Sequence, residues 1–333
     1  MTEKRYFSGI GSRTWEHPAD RAALAALRGL PGFQDVVKFF VGATSEKSLR
    51  LIALASSVRV GPKQFPKVHE LLKEACAVLD AEKLPELYIA QSEQLNARTI
   101  GVDTPFITIN SKLLETMSDS ELLAVIGHEV GHIQSGHVLY KTLLWFLMNA
   151  ANSVFRLPLG QLALNTVLVS LREWDRKSEL SADRAEVLVT QDPDSSYTAL
   201  MKMAGGNNLE EMDLSEFFRQ AEEYESSGDV VDGVYKMLNI LGQSHPFPVL
   251  RLVALKEWVG SGEYEKIVAG DYTRRDSYAE ENVMNDFQDA ARQYQEDFRS
   301  SKDPLAEAVK SIGANVENAR RQAEGFIRSI FER

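Results

Sequence analysis

Cysteine is all but absent from this sequence. Cys76 stands alone among 333 residues, which excludes an intramolecular disulfide and any zinc site built on several sulfur ligands. A lone thiol suits a reducing compartment, so the expected location is the cytoplasm, with peripheral membrane contact through 139–171 or the C-terminal helices as a further reading. Basic residues are also scarce: 37 Lys and Arg against 48 Asp and Glu leave a net charge of -11. A nucleic-acid partner would require a basic surface, and that class of function is set aside. Long apolar runs are missing too. No apolar core follows the polar start Met1-Thr2-Glu3-Lys4-Arg5-Tyr6, which argues against a secretory signal. The most apolar stretches, Leu143 to Met148 and Leu159 to Leu171, lie in a region that Lys141, Asn149, Asn152, Arg156, Pro158 and Gln161 interrupt. Neither reaches the roughly 20 apolar residues of a spanning helix. The region 139–171 is therefore expected to be a buried or cleft-lining helical hairpin. A membrane hairpin and a lipid-touching flap are the alternatives.

What the chain does have is concentrated between Ser118 and Val138. Ser118 and Glu121 have the spacing of a capping box, and Leu122, Leu123, Val125 and Ile126 supply the apolar stripe of a buried helix. His128-Glu129-Val130-Gly131-His132 follows. Histidines four apart share a helix face, so both imidazoles can reach one metal ion, with Glu129 beside them to accept a proton from water. A catalytic zinc needs a third protein ligand and an open position. Glu179, in Glu179-Leu180-Ser181-Ala182-Asp183-Arg184, is the candidate, and Asp183 shares its helix face, suited to orient a ligand imidazole. Small Ser181 and Ala182 allow close helix packing. The remaining histidines His17, His69 and His137 require no metal. His137, nine residues beyond His128, falls on the opposite face of a helix continued to Val138.

Before this helix, Leu87 to Ala90 reads as a strand. The runs Thr99-Ile100-Gly101-Val102 and Phe106-Ile107-Thr108-Ile109 flank Asp103-Thr104-Pro105 as a hairpin. Such a sheet is either structural or a frame to whose edge an extended peptide adds a strand. Short helices are expected at Asp20 to Arg28, Ser45 to Ala55 and Pro66 to Leu79. Beyond the metal helices, Pro246 and Pro248 stiffen the loop that carries His245, and Arg251 falls on the helix that follows. In the tail, Leu305, Val309, Ile312, Val316, Ala319, Ala323, Phe326 and Ile330 form a heptad seam. It fits a helical hairpin docked on the body, with an oligomer contact through 305–330 or a membrane-surface contact as the sharper readings.

Taken together, Asn96-Ala97, His128-Glu129-Val130-Gly131-His132, Glu179-Leu180-Ser181-Ala182-Asp183-Arg184 and His245-Pro246 followed by Arg251 resemble the HtpX/CAAX-prenyl-protease/Oma-type zinc metallopeptidases, a gluzincin family. The resemblance runs from about Pro66 to Tyr272. It implies an α+β, mainly α fold, a zincin-like domain over 61–275 with a small β-sheet before the metal helix; the N-terminal arm at 1–60 and the amphipathic helical C-terminal extension at 276–333 lie outside what it explains. It implies one Zn2+ held by His128, His132 and Glu179, with Glu129 as general base. His245 would stabilise the oxyanion or occupy the open zinc position at rest. Asp183 and Arg251 would support the ligands, and Asn96 and Ala97 would meet a protein or peptide substrate. The expected activity is hydrolysis of internal peptide bonds. A zinc-binding scaffold or chaperone-like adaptor, and a peptidase activated only by a partner or membrane, are the alternatives. Arg98 departs from the family, which usually carries Phe after Asn-Ala.

Overall fold

The structure is a computed structural model that describes residues 4–30, 32–43, 45–149, 161–226 and 247–277. Three helices open the chain, α1 (Pro18–Arg28), α2 (Phe33–Ala43) and α3 (Glu46–Ser56). A two-residue strand β1 (Val58–Arg59) and α4 (Pro66–Val78) follow, then strands β2 (Glu86–Ala90), β3 (Ala97–Ile100) and β4 (Phe106–Asn110). The remainder is helical: α5 (Ser111–Thr116), α6 (Asp119–Gln134), α7 (Val138–Asn149), α8 (Gln161–Thr190), α9 (Pro193–Gly205), α10 (Leu214–Ser226), α11 (Pro248–Gly260) and α12 (Glu263–Ala269). The fold is thus mainly helical with one small sheet.

The sheet has the order β1-β2-β4-β3. β2 and β4 run parallel, while β3 and β4 form the expected antiparallel hairpin, with Ala97 opposite Ile109 and Ile100 opposite Phe106. β3 is therefore an edge strand, paired on one side only among the described residues. Ala97 and Thr99 of β3 point inward, and Arg98 and Ile100 are half-buried, the alternation that a strand imposes.

Among the described residues, the two largest of three buried clusters hold most of the helices together. The larger joins α4, β2 and β4 to α6, α8 and α9, with Leu72, Ile107, Ile126 and Leu188 among its fully buried members. Phe7, Ile10 and Trp15, from the stretch before residue 60, belong to this same cluster. The second packs Leu27, Phe33 and Phe40 of the first helices against Leu143, Leu144, Leu171 and Trp174. The apolar stretches on either side of 150–160 are accordingly two helices, α7 and α8, which bury Leu143, Leu144, Leu147, Val167 and Leu171 in this second cluster. No described helix is long and apolar enough to cross a membrane. Residues 150–160, His245, and the tail with its heptad seam lie outside the described residues.

α6 and α8 cross closely, and two glycines permit it. A Cβ on Gly127 would lie 2.8 Å from Val189 Cβ, and one on Gly131 would lie 2.6 Å from Ala185 Cβ. Replacing an interior helical glycine by alanine ordinarily stabilises by about 1 kcal/mol. Here the sign should reverse. Gly131→Ala would force the two helices apart and is expected to destabilise by roughly 1–3 kcal/mol, the range for overpacking. Thermal unfolding of this variant beside wild type checks it, and a raised midpoint would show that the helices can yield.

Candidate metal centre

The central helix starts as its sequence suggests. Ser118 Oγ accepts from the Glu121 amide at 3.4 Å, and Glu121 Oε2 accepts from the Ser118 amide at 2.7 Å. Lys202 Nζ, 2.6 Å from Glu121 Oε2, anchors this end against α9. The other end departs from expectation. α6 stops at Gln134, because Gly136 adopts φ +68 and reverses the chain before α7 begins at Val138. His137 is therefore not on the opposite face of a continuing helix. It is turned back, with Nδ1 2.9 Å from His132 Nδ1.

One turn apart, His128 and His132 both present Nε2 to Glu179, which α8 delivers through the close helix crossing. His128 Nε2 lies 3.3 Å from Glu179 Oε2, and His132 Nε2 lies 3.2 Å from Oε1. One donor atom from each of the three residues lies within 4.8 Å of the others. All three side chains are buried, Glu179 completely. Two imidazole nitrogens and a carboxylate converging in this way form a donor set that fits a tetrahedral metal with a fourth position open.

The outer nitrogens are also engaged. His128 Nδ1 lies 3.0 Å from Asp183 Oδ1 and 3.2 Å from Glu186 Oε2, acceptors for a proton on that atom. Arg251 donates from Nε to Asp183 Oδ2 at 2.9 Å and places Nη1 3.6 Å from Glu179 Oε2. Lys141 Nζ lies 2.6 Å from Glu179 Oε1 and 2.7 Å from Asp175 Oδ1. Half-buried Lys141 and buried Arg251 thus face the carboxylate cluster from different elements, α7 and α11. Burial works against charge on both imidazoles. At His128, hydrogen bonds to Asp183, Glu179 and Glu186 outweigh it and hold the pKa well above the ordinary value. At His132, the positive charge of Lys141 reinforces burial and holds the pKa well below it.

Glu129 takes no part in that cluster of donors. Its Oε2 accepts from Thr99 Oγ1 on β3 at 2.5 Å. Burial lifts its carboxyl above the ordinary range, against the pull of His128, Thr99 and Lys141. It borders a cavity of about 180 Å³ that Asn96, Ala97, Thr99, Lys141 and Trp145 also line. A smaller recess of about 30 Å³, which Glu129 also borders, reaches His128, and Asn96 and Ala97 line that one too.

A family model, peptidase family M48, matches residues 62–259 of the chain. The chain belongs to this family. Among its relatives, plastoglobule-localized metallopeptidase 48, chloroplastic, of Arabidopsis thaliana is 34% identical over 267 residues, spanning 79% of this chain and 77% of its own. Protease HtpX homolog 2 of Methanosarcina mazei is 26% identical over 170 residues, 44% of this chain and 58% of its own. Protease HtpX homolog of Moorella thermoacetica is 26% identical over 172 residues, 44% and 57% respectively. No solved structure matches the chain. The M48 relationship makes this protein a metallopeptidase.

In this peptidase, His128, Glu129, His132, Glu179, Asp183 and Arg251 come together, and Asn96 and Ala97 line the adjoining cavities. Several neighbours escaped the sequence reading. Glu186 is three residues after Asp183 and seven after Glu179, a helical spacing that could have flagged it. Ser135-Gly136 is a readable helix stop, and it would have freed His137 from the far face. For Thr99, Lys141, Asp175 and Asp20 no local signal exists.

Proposed function

We propose that this metallopeptidase is a zinc-dependent endopeptidase, with His128, His132 and Glu179 holding the metal and Glu129 as general base. The observation that carries the reading is the convergence of the two Nε2 atoms on Glu179 while Glu129 is held apart beside a cavity. Two nitrogens and a carboxylate oxygen are a donor set that suits zinc. When bound, zinc would supply a Lewis acid that polarises a peptide carbonyl and acidifies water. Glu129 takes the proton from the attacking water and passes it to the leaving amine. Thr99 holds one oxygen of that carboxylate, which fixes its direction for both transfers. The open edge of β3 offers main-chain groups to an extended peptide, and Asn96 and Ala97 lie where that peptide would enter. His245 is assigned to the oxyanion, by family resemblance. The intact Glu129 favours an enzyme over a zinc-binding scaffold, which has no use for a base.

The test is metal analysis of the purified protein, followed by chelation and readdition of zinc. The expected result is about one zinc per chain, since the three donors define a single centre. Cleavage of an unfolded protein at internal bonds should disappear on chelation and return with zinc. No stoichiometric metal, or cleavage indifferent to chelation, would overturn the assignment.

A further inference from the structure

The stretch before residue 62 lies outside the part of the chain that the family model matches, yet it sends one carboxylate to the metal centre. Asp20, on α1, is 2% exposed. Its Oδ2 lies 3.0 Å from His137 Nε2 and accepts from Ser181 Oγ at 2.6 Å. Its Oδ1 accepts from the indole Nε1 of Trp174 at 3.0 Å. Ser181 in turn accepts from the backbone amide of His17 at 2.9 Å, so α1 is tied to α8 next to the proposed ligand Glu179. His137 continues the chain to His132 through the 2.9 Å contact between their Nδ1 atoms. His132 and His137 are each only 1% exposed, so water does not substitute for these partners.

Donor and acceptor roles along this chain follow from one requirement. An imidazole that offers Nε2 to a metal carries its proton on Nδ1. His132 Nδ1 must then donate, so His137 Nδ1 must accept, and the proton of His137 sits on Nε2. That proton points at Asp20, and an ionised carboxylate is an acceptor only. The donors Ser181 and Trp174 complete its shell. Every group in the series has one role, and each role is consistent with the next.

We propose that Asp20 and His137 are positioning residues, which fix the tautomer and ring orientation of His132 for metal ligation. This rests on the ligand set of the proposed function and makes the N-terminal segment a working part of the centre. Asp20→Asn is the incisive change. An asparagine has one acceptor oxygen where three donors converge, and in the orientation that keeps this oxygen on the Trp174 indole its amide would present a proton to His137 Nε2. His137 would then hold its proton on Nδ1, and His132 would be driven to the tautomer whose Nε2 carries hydrogen.

Zinc dissociation constants, measured by competition with a chromophoric chelator on folded protein, test the proposal without any reference to activity. Asp20→Asn and His137→Leu should weaken zinc binding by roughly 10–100-fold, the usual consequence of losing a partner to a ligand imidazole. His137→Gln should remain within about threefold of wild type, because its carboxamide can accept from His132 and donate to Asp20. Glu121→Gln, a buried change at the far end of α6, should lower the melting temperature and leave zinc affinity alone. Near-wild-type affinity in both Asp20→Asn and His137→Leu would overturn the proposal. So would an equal loss in Glu121→Gln, which would trace the effect to stability. If Asp20→Asn does not fold, equal affinities of His137→Leu and His137→Gln overturn it. Wild-type protein that binds no zinc would instead bring down the functional reading itself.

Discussion

Glu129→Gln should lower peptide cleavage by roughly 10²- to 10⁴-fold, the range associated with loss of a general base, while leaving the metal in place. The substitution is nearly isosteric at a site only 3% exposed, and the amide oxygen can still accept from Thr99 Oγ1. It also removes a carboxyl that burial penalises when charged. The folded protein should therefore be at least as stable as wild type. Zinc content should not change, because Glu129 is not one of the three convergent donors. Metal analysis, a melting curve and a casein-type assay on the same preparation check all three expectations. Cleavage within tenfold of wild type would remove Glu129 from the role of base.

Arg251→Gln should be among the most damaging single substitutions for stability. Arg251 is 3% exposed and binds Asp183 through Nε and Nη2, and its positive charge also acts on Glu179 and Glu186. Without it, among the described residues Asp183 and Glu186 keep only the His128 imidazole as a close partner on that side. Breaking a buried ion pair by removing one partner costs about 3–5 kcal/mol, since the other charge remains in a dry interior. Arg251→Lys should rescue poorly, because an ammonium cannot reproduce the fork that grips the carboxylate. Pairing Arg251→Gln with Glu186→Gln should recover part of the loss, since one stranded charge is removed with its partner. Chemical denaturation of the single and double variants measures both terms. An Arg251→Gln protein as stable as wild type would mean that these carboxylates are not burdened by their burial.

Much of the centre was legible because its parts are local. A spacing of four on a helix puts His128 and His132 on one face whatever surrounds them, and the same spacing aligns Glu179 with Asp183. Ser118 and Glu121 announce the helix start through a motif four residues long, and the structure contains both of its hydrogen bonds. The β3–β4 hairpin was readable from two alternating runs around a proline turn. His137 was misplaced for a local reason too. A glycine sits within an otherwise helical pattern there, and its left-handed φ ends the helix and turns the next residue inward.

Other parts had no local signature. The helix Asp20 to Arg28 was expected from its Ala/Leu pattern, and α1 covers that stretch as Pro18–Arg28. Nothing in that pattern says that its one early acid points into the core, since first-turn acids commonly favour the helix dipole at the surface. Lys141 reads as an interruption in an apolar region, yet it is held half-buried between Asp175 and Glu179. The sequence by itself determined which side chains bring metal-binding and base chemistry, because helical periodicity acts over a single turn. Only the tertiary structure decided which charges compensate them and which groups orient them. Asp20 and Ser181 are 161 residues apart, and such partners meet only when whole helices pack. That packing depends on features as small as the missing Cβ atoms of Gly127 and Gly131.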